Sequence, residues 1–213
     1  MIDIEFLKDR DVCEEGFVYF KKNIKEPIAA RELINRLLAT KKREKMEWVN
    51  WLLCKLFSRP QYIQYAVFAA EQVLPIFEAK YPSDKRPRKA IEAAKQVALN
   101  DTEENRKIAA NAAAYAADAA AYAADAAAYA VYAANTAANA ANAANAVANT
   151  AAANAANAAA YAAAYAANAA NAVANTAAAN AANAANAAAY AAGGKEMLLK
   201  IIKYGIEMLN QVN

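Results

Sequence analysis

The stretch that decides the fold runs from Ile108 to Ala192 and opens IAANAAAYAADAAAYAADAAAYAVYAANT (residues 108–136). It is 85 residues long, 55 of them Ala, and it holds no Gly, Pro, Lys or Arg. Alanine has the highest helix propensity of any residue, and nothing here interrupts a helix. The larger residues step by three or four, as in Asn111, Tyr115, Asp118, Tyr122, Asp125, Tyr129 and Tyr132. The average step is about 3.6 residues, which gathers the polar and aromatic groups into one stripe on an alanine cylinder. The spacing therefore predicts an all-α protein, a multi-helix bundle with long Ala-rich antiparallel helices.

The stripe carries an energetic oddity. Asn costs about 0.6 kcal/mol relative to Ala in a helix interior. The fourteen asparagines of the stretch forgo on the order of 8 kcal/mol of helicity. They either line a groove, neighbour or ligand, or they keep the alanine surface wet while a bare Ala face packs inward. Residues 142–159 (NAANAVANTAAANAANAA) recur unchanged at 168–185, which favours expansion of a tolerant segment. As one straight helix the stretch would exceed roughly 100 Å, so it is expected to fold back on itself. A reversal is placed between about residues 132 and 150. Others are placed at the slips Asn149-Thr150 and Asn175-Thr176, where Asn can end a helix and Thr can cap the next.

Outside this region, residues 1–107 read as an N-terminal helical part, 108–192 as the repeat region packed on it, and 193–213 as a C-terminal closing helix. Lys8–Asn23 reads as the first helix, capped by Asp9 or Asp11, and Pro27 reads as the first residue of a helix over Ile28–Thr40. The charged run Lys41–Lys45 reads as a loop or solvated helix end. Met46–Phe57, with Trp48, Trp51, Leu52 and Phe57, is the anchor of the N-terminal core. Gln61–Lys80 is a long helix expected to kink or split at Leu74, because Pro75 lacks an N–H. Lys89–Leu99 is a short helix, Asn100 to Glu104 cap the next, and Lys195–Asn210 follows the Gly193-Gly194 stop.

Composition bounds the function. The net charge of +3, with the basic excess in the first half, is too weak to point to nucleic acid. The polar residue at every turn of the Ala stretch argues against a membrane span. Cys13 and Cys54 give no disulfide framework, which with the charged N-terminal sequence fits a reduced, cytoplasmic setting. The chain has no His, so Ser-His and Cys-His pairs are impossible, and no phosphate loop or metal cluster is present. No cofactor, no metal and no catalysis are expected. Carboxylate pairs such as Asp118 with Asp125, or Glu71 with Glu78, leave acid–base or divalent-metal chemistry open as the lesser reading, since a solvated acidic face explains the same residues.

The segment from Trp51 to Gln96 carries a resemblance. It contains WLLCKLF and then AAEQVLPIFEAKYPSDKRPRKAIEAAKQ. Val73, Leu74, Pro75, Phe77 and Glu78, followed by Pro82, Asp84, Arg86, Pro87, Arg88, Ala90, Ile91, Glu92 and Ala93, make it similar to the helical bacterial immunity-like proteins of polymorphic toxin systems. The resemblance implies an all-helical protein without catalysis that acts by binding. Its partner would be a protein toxin or effector that it neutralises by covering the working surface.

Two other functions are open to the sequence. In one, the protein sequesters a small nucleotide-like signal in phage–host conflict. Tyr115, Tyr122 and Tyr129 would then offer aromatic faces beside Asp118 and Asp125, and Lys85, Arg86, Arg88 and Lys89 would meet phosphate. Arg86 and Arg88 could equally pin their turn through Asp84 or Glu78. In the other, the alanine helix binds ice, but Thr136, Thr150 and Thr176 lack the eleven-residue repeat that chemistry uses. The binding candidates are thus Tyr115, Asp118, Tyr122, Asp125, Tyr129, Glu78, Asp84, Arg86 and Arg88. Pairing of the chain with its own copy through the Ala-rich helices is a further expectation.

Overall fold

The structure is a computed structural model that describes residues 1–10, 12–136, 158, 160–166, 174–192 and 194–210; the side chains of 120–136 and 174–179 lie outside that description. The helices are α1 (Ile4–Lys8), α2 (Glu14–Asn23), α3 (Ala30–Ala39), α4 (Arg43–Leu56), α5 (Arg59–Lys80), α6 (Arg86–Leu99) and α7 (Glu103–Thr136). The helical residues 160–166 form α8, followed by α9 (Ala174–Ala191) and α10 (Lys195–Asn210). Among the described residues no strand forms, only an antiparallel bridge between Ile2 and Ile28. The protein is an all-α multi-helix bundle.

The organising helix is α5. Tyr62, Ile63, Tyr65, Ala66, Val67, Ala69, Ala70, Val73, Leu74 and Phe77 are all buried, so apolar residues surround most of its circumference. A helix buried on several sides needs neighbours on several sides. On one side lies α6, with α7 packed beyond it; on the other lie α9 and α10, which also touch α4. The α3 helix packs on the far side of α4. One apolar core runs through these layers from Ile2 to Met208.

Alanine makes the close layers possible. On α7, Ala109, Ala113, Ala116 and Ala119 are buried, whereas Asn111, Tyr115 and Asp118 are exposed. On α9, Ala181, Ala184, Ala185, Ala188 and Ala189 are buried and Asn183 is exposed. In these described parts the bare alanine face is the one that packs, and the stripe mostly meets water. A side chain of one carbon lets helix axes approach to the short end of the usual 8–10 Å range.

Several boundaries differ from the sequence expectation. The helix expected from Lys8 is two helices, broken between Asp9 and Cys13, and it is the Cys13 sulfur that accepts the Gly16 N–H at the start of α2. The helix expected at Ile28 begins at Ala30, because Ile28 exchanges backbone hydrogen bonds with Ile2 at 2.7 and 2.9 Å. The run at Lys41–Lys45 is not all solvated: α4 starts at Arg43, and Lys45 is buried. The split expected at Leu74 does not occur, since α5 continues through Pro75. Pro75 is exposed, while Val73, Leu74 and Phe77 on either side are buried and hold the helix in register. Asn175 and Thr176 fall in the first turn of α9. The reversal expected between 132 and 150 meets α7 as far as Thr136, and its remainder, like the slip at Asn149-Thr150, lies outside the described residues.

The α9–α10 junction follows the glycine signal. Gly194 has φ +83° and its N–H bonds the Ala189 carbonyl at 2.6 Å, a helix-ending arrangement that glycine adopts without steric cost. The Arg43 guanidinium lies 4.4 Å from the Tyr190 ring centroid beside it.

Candidate binding face

Four of the candidate residues meet where α5 turns into α6. Glu78 lies in the last turns of α5, and Tyr81 ends the helix. The Asp84 N–H bonds the Tyr81 carbonyl at 3.1 Å, which closes the turn. Pro87, in the first turn of α6, is buried and has a fixed φ. It anchors the chain between Arg86, half exposed, and Arg88, exposed.

Both arginines are held by carboxylates. The Arg86 backbone N–H donates to Asp84 Oδ1 at 3.1 Å, its Nε to Oδ1 at 3.0 Å, and its Nη2 to Oδ2 at 2.6 Å. Arg88 Nε donates to Glu78 Oε1 at 2.7 Å and Nη2 to Oε2, a forked pair across ten residues. Lys85 Nζ stands 3.7 Å from Glu78 Oε1. Planar fork-to-fork contacts are the strong form of this interaction. The hydrogen bond from Arg88 holds the Glu78 carboxyl below its ordinary value, and that from Arg86 does the same for Asp84. Glu78 in turn raises the Arg88 guanidinium. Both arginines thus contact the acids of their own turn, Arg86 through Asp84 and Arg88 through Glu78.

Tyr115 and Asp118 sit on α7, on the side away from the alanines that pack. Ala113 and Ala116 are buried against Ala90 of α6 and Ala164 of α8, and Tyr115 is 62% exposed. Among the described residues neither Tyr115 nor Asp118 hydrogen-bonds or ion-pairs with the charged turn. The side chains of Tyr122, Asp125 and Tyr129 lie outside the described residues. The structure therefore brings Glu78, Asp84, Arg86 and Arg88 together and leaves Tyr115 and Asp118 as a separate exposed feature.

Three further polar groups escaped the sequence reading. Asn50 of α4 is 0% exposed; its Nδ2 donates to the Ala182 carbonyl at 3.0 Å and to Asn186 Oδ1 at 3.2 Å, and its Oδ1 accepts from the Tyr65 hydroxyl at 2.8 Å. The signal was available: Asn50 shares the helical face of Met46, Val49 and Leu53, all buried. The Lys45 ammonium lies 3.2 Å from the Trp48 ring centroid and 4.1 Å from that of Tyr19. Asp101 accepts from Arg59 Nε at 2.7 Å and from Arg106 Nε at 2.6 Å, joining the starts of α5 and α7. No group of three or more His, Cys, Asp or Glu among the described residues is arranged to hold a metal ion. No helix among them is long and apolar enough to cross a membrane.

No curated protein and no solved structure matches the chain. A family does, over part of it, and further along the chain than the motifs from Trp51 to Gln96 reach. Residues 52–145, from the second half of α4 through α6 and α7, match the family described as "Imm-5 like putative immunity protein", and all nine candidate residues fall within that segment.

Proposed function

We propose that the protein is a non-catalytic, cytoplasmic binding protein of the immunity kind, which neutralises a toxin or effector by covering its working surface. The observation that carries this reading is the family match over residues 52–145. The outward side chains of that segment are the contact surface. Tyr115 and Asp118 supply an aromatic and an acidic contact from α7, and the cross-linked turn at Glu78–Arg88 supplies a rigid charged edge. A surface held rigid before binding loses less side-chain entropy on contact. The nucleotide-sequestering alternative gains no support from this geometry, since Arg86 and Arg88 are engaged by carboxylates and Tyr115 stands open to solvent.

Co-expression with toxins encoded beside its own gene tests the reading. The wild-type chain restores growth against one of them and forms a complex of fixed stoichiometry with it. Tyr115→Ala combined with Asp118→Lys weakens both effects while the helical circular dichroism is kept. Native mass spectrometry of that complex also counts any pairing of the chain with its own copy. Failure to rescue growth or to bind any such toxin would overturn the proposal.

A further inference from the structure

Between the α1–α2 pair and the α3–α4 pair lies a cavity of about 310 Å³. Phe20, Leu33 and Leu37, all buried, line it together with the half-exposed rings of Tyr19, Trp48 and Trp51. Close-packed interiors rarely leave voids larger than a water molecule. This volume falls instead in the range of small-molecule sites.

The walls specify what fits. Among the described residues no Lys or Arg lines it. The carboxylate of Glu47, at the edge, accepts from Arg43 Nε at 3.0 Å, and the Cys13 sulfur accepts from the Gly16 N–H at 3.4 Å. An anionic guest would lose hydration and find no cation in the wall, and a cationic one would meet only a carboxylate already paired with Arg43. The aromatic wall is fixed: the Tyr19 and Trp48 rings meet edge to face with centroids 5.3 Å apart, and Lys45 braces both although it does not line the cavity. Such rings favour a flat aromatic guest.

We infer that this cavity is a binding site for a neutral, largely apolar small molecule that carries an aromatic ring. The site is independent of the toxin-binding reading, because apart from Leu52 its lining lies outside the matched segment.

The test uses the full chain and the neutral dye N-phenyl-1-naphthylamine. The chain has two tryptophans, and both line the cavity. Bound dye therefore quenches their emission in a saturable, single-site titration. Leu33→Phe, which fills the floor, and Val12→Phe, which narrows the rim, each weaken binding by about tenfold. Leu99→Phe, on the exposed end of α6, leaves it unchanged. Val12 is only half-buried, so that variant still decides the matter if Leu33→Phe misfolds. Absence of saturable quenching would overturn the inference, as would binding unaffected by both filling variants. Equal binding of the anionic 1-anilinonaphthalene-8-sulfonate would overturn the neutral ligand class. A chain that ignores the dye but loses its toxin partner on Val12→Phe would assign the cavity to a protein side chain instead. Growth rescue by the wild-type chain is a separate readout, so failure of one reading leaves the other standing.

Discussion

The Tyr65 hydroxyl donates to Asn50 Oδ1 over 2.8 Å, and neither residue has any surface in contact with water. The amide of Asn50 then reaches α9, so one side chain joins α4, α5 and α9. A buried polar group left without its partner costs about 1–3 kcal/mol. Asn50→Ala strands the Tyr65 hydroxyl, removes the bonds to the Ala182 carbonyl and Asn186, and opens a cavity, with an expected loss of about 2–4 kcal/mol. Tyr65→Phe costs about 1–2 kcal/mol. Urea unfolding of both variants and of the double variant checks this. Because the two residues act as one unit, the double variant loses less than the two single losses combined.

Gly205 of α10 packs against the same tyrosine. A Cβ built there would lie 2.7 Å from Tyr65 Cε2 and 3.1 Å from Leu53 Cδ1. On helix propensity alone Gly205→Ala would gain about 1 kcal/mol. Overpacking a buried contact costs about 1–3 kcal/mol, and the Tyr65 ring is held by Asn50 and cannot easily give way. Thermal unfolding is expected to show a lowered midpoint; a raised one would mean that the ring moves.

The two cysteines differ in chemistry. Cys13 is exposed and Cys54 is buried, with the Cys54 thiol pushed far above its ordinary range by desolvation. The thiolate is the reactive form. Ellman's reagent should therefore titrate one thiol per native chain and two in guanidinium. Modification of Cys54 should follow the kinetics of unfolding.

Acid should weaken the α5–α6 turn in a defined direction. Glu78 and Asp84 ordinarily titrate at 4.5 and 3.8, and both are lowered in the folded chain by their arginines. The unfolded chain thus takes up these protons first as the pH falls. The stabilisation is complete above about pH 5 and is lost on descent through the carboxylate range toward the folded values. Arg88→Met removes the largest cause for Glu78 and moves its titration upward, with Lys85 at 3.7 Å retaining part of the effect. Carboxyl carbon shifts in NMR, followed against pH, measure this directly.

Alanine content and the spacing of Tyr115, Asp118 and their neighbours were enough to read helices, while the choice between a stripe that lines a groove and one that meets water waited on the structure. What eluded the sequence depended on partners distant along the chain. Ile28 continued a helical pattern, yet its backbone bonds went to Ile2. Lys45 belonged to a charged run, yet two rings from different helices enclose it. Arg86 and Arg88 had acids within reach along the chain, and only the fold of the turn shows that Asp84 and Glu78 meet them. The role of Asn50 was hidden because its three partners lie on α5 and α9, and an alanine helix does not advertise which groove it will fill.

That last point bears on the duplicated blocks. Residues 142–159 and 168–185 are letter-for-letter copies, so the crevice between α4 and α5 cannot tell them apart by shape. The position just past each copy differs: Asn186 follows the second and Ala160 the first. Asn186 is the residue that Asn50 grips. A single amide thus works as a key cut for the second of two matching tenons, and exchanging residues 160 and 186 would carry that mark to the first.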